Sequence, residues 1–176
     1  MMKVTFNDGG RKAAGFDGRA GDCVARSIAI VSGRPYQEVY DALAHIMATM
    51  PKTKKRKSAG KRTASNGIYT KSKLFKDYMA SLGFVWTPTM HVGSGCKVHL
   101  AKGELPMGKL IVAVSKHYTT VIDGVIHDTH NPQREDSFMF ERDVGQTLKA
   151  NQGRNVNGVW TKIGGRCVYG WWEIKK

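Results

Sequence analysis

The sequence predicts an α+β fold, from three observations. Helical patterns fall in the first half of the chain and strand patterns in the second, segregated rather than alternating. The 176 residues suffice for one domain with a genuine core and are too few for two comfortable ones. Asp123-Gly124, flanked by short apolar runs, is the dipeptide preferred in two-residue hairpin turns. The expectation is a single domain over residues 1–176, with N-terminal helices packed on a C-terminal antiparallel β-sheet.

Each element has its own signal. A first helix spans Cys23 to Ser32, where Val24, Ala25, Ile28, Ala29, Ile30 and Val31 supply the apolar residues and Gly33 the stop. Pro35 suits the first turn of a second helix reaching about Met50. In it Tyr36, Val39, Tyr40, Leu43, Ile46 and Met47 recur at helical spacing, as a core-facing stripe does. A third helix is expected from about Thr70 to Leu82. Leu110 to Ser115 is a β-branched run, the pattern of a buried strand. The hairpin about Asp123-Gly124 follows, and a last strand runs from Val168 to Ile174. One ring of Trp171-Trp172 should pack inward and the other lie near the surface, with Cys167 in the core. Gly153 to Gly165, rich in Gly and Asn, reads as a loop.

The net charge is +14, with 28 basic residues against 14 acidic. Much of it is local: Lys52, Lys54, Lys55, Arg56, Lys57, Lys61 and Arg62 form a block expected to be a solvated, flexible loop at about 51–66. Such a block can also grip nucleic acid or an acidic protein partner. Zinc-finger spacing, an RNP-type aromatic strand and a helix-turn-helix are all missing, so charge alone does not make a DNA-binding protein. No apolar stretch approaches a membrane span, and the first residues lack the apolar core of a signal peptide. Three widely spaced cysteines, Cys23, Cys96 and Cys167, argue against a disulfide framework and for a reducing cytosol. The expected location is therefore the cytoplasm. No cofactor or metal is expected: on a strand His127 and His130 face opposite sides, and no paired-Cys or HExxH motif supports them.

Cys23 is the first residue with chemical consequence. At the first turn of a helix, free N–H groups and the positive end of the dipole favour a thiolate, the nucleophilic form. The hairpin register supplies the rest. With a two-residue turn at Asp123-Gly124, Ile122 faces Val125, Val121 faces Ile126, Thr120 faces His127 and Thr119 faces Asp128. His117 and Asp128 then share a face as diagonal neighbours, while His127 points the other way. An imidazole oriented by a carboxylate is what a thiol nucleophile requires. His130 is a competitor for the same face, and Cys96, in Gly93-Ser94-Gly95-Cys96, is the alternative nucleophile.

These residues resemble a papain-like cysteine peptidase, in the manner of the bacteriocin-processing and related bacterial or phage branches. The resemblance is carried by Asp22-Cys23 opening a helix, Gly67 with the Leu74-Phe75 to Leu82-Gly83-Phe84 helix, Lys116-His117 opening a strand, and Asp128 on the next one. It covers residues 15–132 as short matches in the order Cys, His, Asp. It implies Cys23 as nucleophile, His117 as general base and acid, Asp128 as its orienter, and a peptide or protein substrate cleaved at an amide. It also implies the cytoplasm of a bacterium or of a phage-infected cell. The family usually places a Gln six residues before the Cys; here that residue is Asp17, whose ionised carboxylate cannot donate to an oxyanion. The backbone N–H of Cys23 can supply one donor, with Arg19 or Asn7 as candidates for another. The alternative reading is a catalytically weak or inactive scaffold that binds nucleic acid or an acidic partner through Lys54, Lys55, Arg56, Lys57, Lys61 and Arg62.

Overall fold

A computed structural model of the chain describes residues 1–18, 21–50, 64–133, 154–156, 159–161 and 166–175. In chain order the elements are β1 (Val4–Phe6), α1 (Cys23–Ser32), α2 (Tyr36–Thr49), a 3-10 turn at Ala64–Asn66, α3 (Lys73–Ser81), β2 (Phe84–Pro88), β3 (Lys109–Val114), β4 (His117–Ile122), β5 (Val125–Asp128), β6 (Arg154–Val156), β7 (Val159–Thr161) and β8 (Val168–Ile174). The fold is α+β. The basic block at 51–62 lies outside the described residues.

Local chemistry sets the helix limits. Gly33 ends α1 in the left-handed region at φ 72°, its N–H donating to the Ala29 carbonyl at 2.9 Å. Pro35 stands at the N-cap of α2. The third helix starts three residues later than its apolar pattern alone implies. Ser72 caps it, its hydroxyl accepting from the Phe75 N–H at 3.2 Å.

Six strands form one mixed sheet in the order β1-β5-β4-β3-β8-β2. β1 runs parallel to β5 and the other pairs are antiparallel. Asp123 and Gly124 both take positive φ, 47° and 78°, as a type I′ turn requires. The pairs Thr120↔His127, Val121↔Ile126 and Ile122↔Val125 follow from it. β1 and β2 lie at the two edges, and neither was expected. The stretch read as a loop after Gly153 contains the β6–β7 hairpin instead, paired Asn155↔Trp160. Its signal was the Asn157-Gly158 dipeptide, submerged in a Gly- and Asn-rich composition.

Apolar packing covers both faces of the sheet, which explains the unbroken run in β3. Ile111 joins the helix-side core with Val24, Ile28, Leu43, Phe75, Met79 and Trp172. Leu110, Val112 and Val114 join a second cluster with Met2, Leu100, Val121, Ile126 and Val168. Each such fully buried side chain contributes roughly 1.5–3 kcal/mol. A register shift between Ala113 and Val114 leaves Tyr169 as an extra residue in β8, so Val168 and Trp172 reach opposite faces. The two tryptophans therefore divide differently from the simple alternation: Trp172 is in the helix-side core, and Trp171 packs half-buried on the second cluster. Gly170, beside the bulge, lies under the Trp86 ring, and a Cβ there would stand 2.6 Å from the Thr87 carbonyl oxygen.

The cysteine expectation needs correction. Cys96 and Cys167 are joined in a disulfide, so Cys167 is not a core thiol and Cys96 is no alternative nucleophile. Cys23 is the free cysteine. Wide spacing in sequence concealed the pair because β8 returns to the loop at His99, where His99 and Cys167 form an isolated bridge. The bond joins residues 71 positions apart, so Cys96→Ser is expected to lower the unfolding free energy by about 2–4 kcal/mol. Denaturant unfolding with and without reductant measures this; equal midpoints would contradict it.

Candidate active site

Cys23 and His117 line one cleft, with Asp128 buried behind the imidazole, although the three lie on three elements. Cys23 is the first residue of α1, His117 opens β4, and Asp128 closes β5. His117 Nε2 lies 2.7 Å from Asp128 Oδ2. Cys23, which lines the same cleft, is among the groups that raise the imidazole's pKa. His127 is on the other face of the hairpin, its Nδ1 buried without a partner among the described residues. His130 stacks beside the pair, its ring centroid 4.8 Å from that of His117.

The electrostatics favour a charged His117. Burial opposes the imidazolium, but the hydrogen bond to Asp128, the neighbouring Cys23 side chain and the Asp128 charge outweigh it, raising the pKa to about 9. Burial likewise opposes ionised Asp128, yet His117 and the Thr129 N–H bring its pKa down to about 2. For His130, burial and the positive neighbours His117, Arg26 and Arg166 outweigh Asp128 and depress the pKa.

Behind the three residues lies a buried ionic chain that sequence reading missed. Arg26, 6% exposed, donates through Nε to Asp22 Oδ1 at 3.1 Å and through Nη1 to Asp128 Oδ1 at 3.0 Å and Thr129 Oγ1 at 2.8 Å. Asp22 also accepts from Arg11 Nε at 2.7 Å and from the Tyr36 hydroxyl at 2.5 Å. The legible signal was the charge itself: Arg26 interrupts an otherwise apolar helix four residues after Asp22. Arg26 is thus one turn beyond Cys23 on the same helix, and it fixes the carboxylate that orients His117.

Because Asp22 is consumed by these three donors, it makes no cap to α1. The N–H groups of Cys23, Val24 and Ala25 have no acceptor among the described residues. They are oriented donors beside the sulfur. Asp17 lines the cleft and is exposed, and Arg19 lies outside the described residues. Asn7 does not line the cleft, and its side-chain oxygen accepts from the Gly9 N–H at 2.9 Å. Donor atoms of His117, Asp128 and His130 lie within 4.8 Å of one another, a spacing that suits a metal ion. Asp128 Oδ1 is nevertheless held by Arg26 and Oδ2 by His117, so a cation would have to displace a buried guanidinium. The donor set is committed internally.

The cleft encloses about 1770 Å³, walled by Phe16, Trp86, Tyr118 and Trp172. Among the described residues no helix is long and apolar enough to cross a membrane. Comparison with models of known families, with curated proteins and with solved structures returns no match.

Proposed function

We propose that the protein is a papain-like cysteine hydrolase acting on an amide of a peptide or protein. The observation that carries this reading is His117, bonded to Asp128 at 2.7 Å, in the cleft that Cys23, the one free cysteine, also lines. The Cys23 thiolate adds to the amide carbonyl, and His117 passes its proton to the leaving nitrogen as the C–N bond breaks. A thioester remains. Water then attacks it, giving its proton to His117, and the carboxylic acid leaves as Cys23 is restored. Asp128 keeps the ring oriented throughout, as the third member of such a group does. The N–H groups at the start of α1, which have no acceptor among the described residues, stabilise the oxyanion in place of the Gln missing at position 17.

With the disulfide intact, iodoacetamide is expected to modify one cysteine, Cys23, faster than free cysteine at pH 7. Hydrolysis of a fluorogenic peptide mixture should vanish in Cys23→Ala. Its kcat should fall as pH rises through about 9, since His117 must hold a proton to give to the leaving amine. Labelling no faster than free cysteine, with hydrolysis surviving Cys23→Ala, would sink the proposal. The same variant retaining the full biological effect would favour a binding scaffold.

A further inference from the structure

We propose that the cleft selects substrates with carboxylate groups beside the scissile amide, and that Lys116 reads this charge. The inference rests on the hydrolase reading above. Its first observation is the charge that lines the cleft. Arg34 pairs with Glu38, Lys73 with Asp77, and Arg11 and Arg26 with buried carboxylates. Lys12, Lys71, Lys76 and Lys116 all line the cleft and are exposed; like Lys3, Lys97, Lys102, Lys109 and Lys175 elsewhere, they have no anionic partner among the described residues, so what sets them apart is their convergence on one cleft. The opposing carboxylates are few. Asp22 is consumed internally, and Asp8 accepts from the N–H groups of Gly10 and Lys12. Asp17 is the one left in the rim among the described residues. A concave surface with apolar walls concentrates such a field on whatever enters it.

The second observation is conformational and independent of charge. Positive φ occurs at thirteen glycines among the described residues and at two other residues, Lys116 and Asp123. Asp123 is explained by its turn: Asp is favoured in type I′, and its carboxylate accepts from the Gly108 N–H at 2.9 Å. Lys116, at φ 58°, occupies the second central position of the Ser115-Lys116 turn, where glycine has the least strain. A chain that uses glycine so freely elsewhere keeps a lysine where its backbone is strained, immediately before His117. Strain retained at such a place points to the side chain. An ammonium there, at the mouth of the cleft, can meet a carboxylate two or three residues from the scissile bond.

Matched fluorogenic peptides test this: Glu on both sides of the scissile amide, the same peptide with Gln, and the Gln peptide with a free or an amidated C-terminus. The Glu peptide should exceed the Gln peptide in kcat/KM by about tenfold at low salt, with the advantage shrinking as salt rises. An advantage confined to the free C-terminus would assign the carboxylate to the chain end and not the side chains. Lys116→Gly should bring the Glu/Gln ratio toward one and raise the melting temperature, whereas Lys116→Arg should keep the ratio. Equal rates for Glu and Gln peptides in an active enzyme would overturn the proposal and leave the hydrolase reading standing. So would a ratio unchanged in Lys116→Gly, or an oligonucleotide that binds the cleft while the peptides show no charge preference. If no peptide is cleaved and Cys23 labels like free cysteine, both readings fall.

Discussion

His117→Ala is expected to return Cys23 alkylation to the rate of an ordinary cysteine and to cut amide hydrolysis by about 10²–10⁴-fold. In the proposed mechanism the imidazole is the sulfur's proton acceptor and the leaving group's proton donor, and His117 is the ring bonded to Asp128 at 2.7 Å. His127 lies on the opposite face of the hairpin, so His127→Ala should leave both rates unchanged. Asp128→Asn should do less than His117→Ala, because an amide oxygen can still accept from Nε2. It removes the anion that raises His117, however, so the alkaline limb near pH 9 should move to lower pH. Stopped-flow alkylation and pH profiles of peptide hydrolysis give these quantities. Wild-type alkylation kinetics in His117→Ala would show that the ring does not activate the thiol.

Arg26→Met should lower the unfolding free energy by about 3–5 kcal/mol, the usual consequence of removing one member of a buried ionic group. Asp22 keeps Arg11 and Tyr36 after the change, so the loss falls mainly on Asp128. Arg26→Lys should recover part of it, since one ammonium cannot bridge two carboxylates as a guanidinium does. The pH dependence separates this from a packing loss. Asp128 has a depressed pKa, so its stabilisation is present above the unfolded carboxylate value and is lost as pH falls through about 2. The gap between wild type and Arg26→Met should therefore narrow from about pH 4 downward. Denaturant titrations at pH 7 and pH 3 measure it; a gap unaffected by pH would make Arg26 a packing residue.

What the sequence disclosed depended on how local the cause was. α1 lies where the Cys23 and Gly33 signals put it, and the β4–β5 register follows from two turn residues. Those short-range rules sufficed to bring His117 and Asp128 to one face. Long-range partners were not legible. β1 has three residues and pairs with β5 across most of the chain, β2 is defined by β8, and the Cys96–Cys167 bond depends on that same return of the chain. The bulge at Tyr169 reverses side-chain alternation inside a strand whose pattern looked regular. Arg26 was visible as a charge in an apolar helix, but its second carboxylate came from a strand 102 residues away.

The parallel pairing of β1 with β5 has a temporal meaning. Val4 pairs with Ile126, the Asn7 N–H donates to the Asp128 carbonyl at 3.0 Å, and Gly9 lies so close to α1 that a Cβ would stand 2.8 Å from the Arg26 carbonyl oxygen. The segment that braces Asp128 and Arg26 thus leaves the ribosome first and waits for its partner. At about 5–20 residues per second, roughly 6–25 s of synthesis separate β1 from β5. During that interval Cys23 has neither its imidazole nor the carboxylate behind it. Under the proposed hydrolase reading, activation of the Cys23 thiol by His117 and Asp128 therefore follows closure of the sheet.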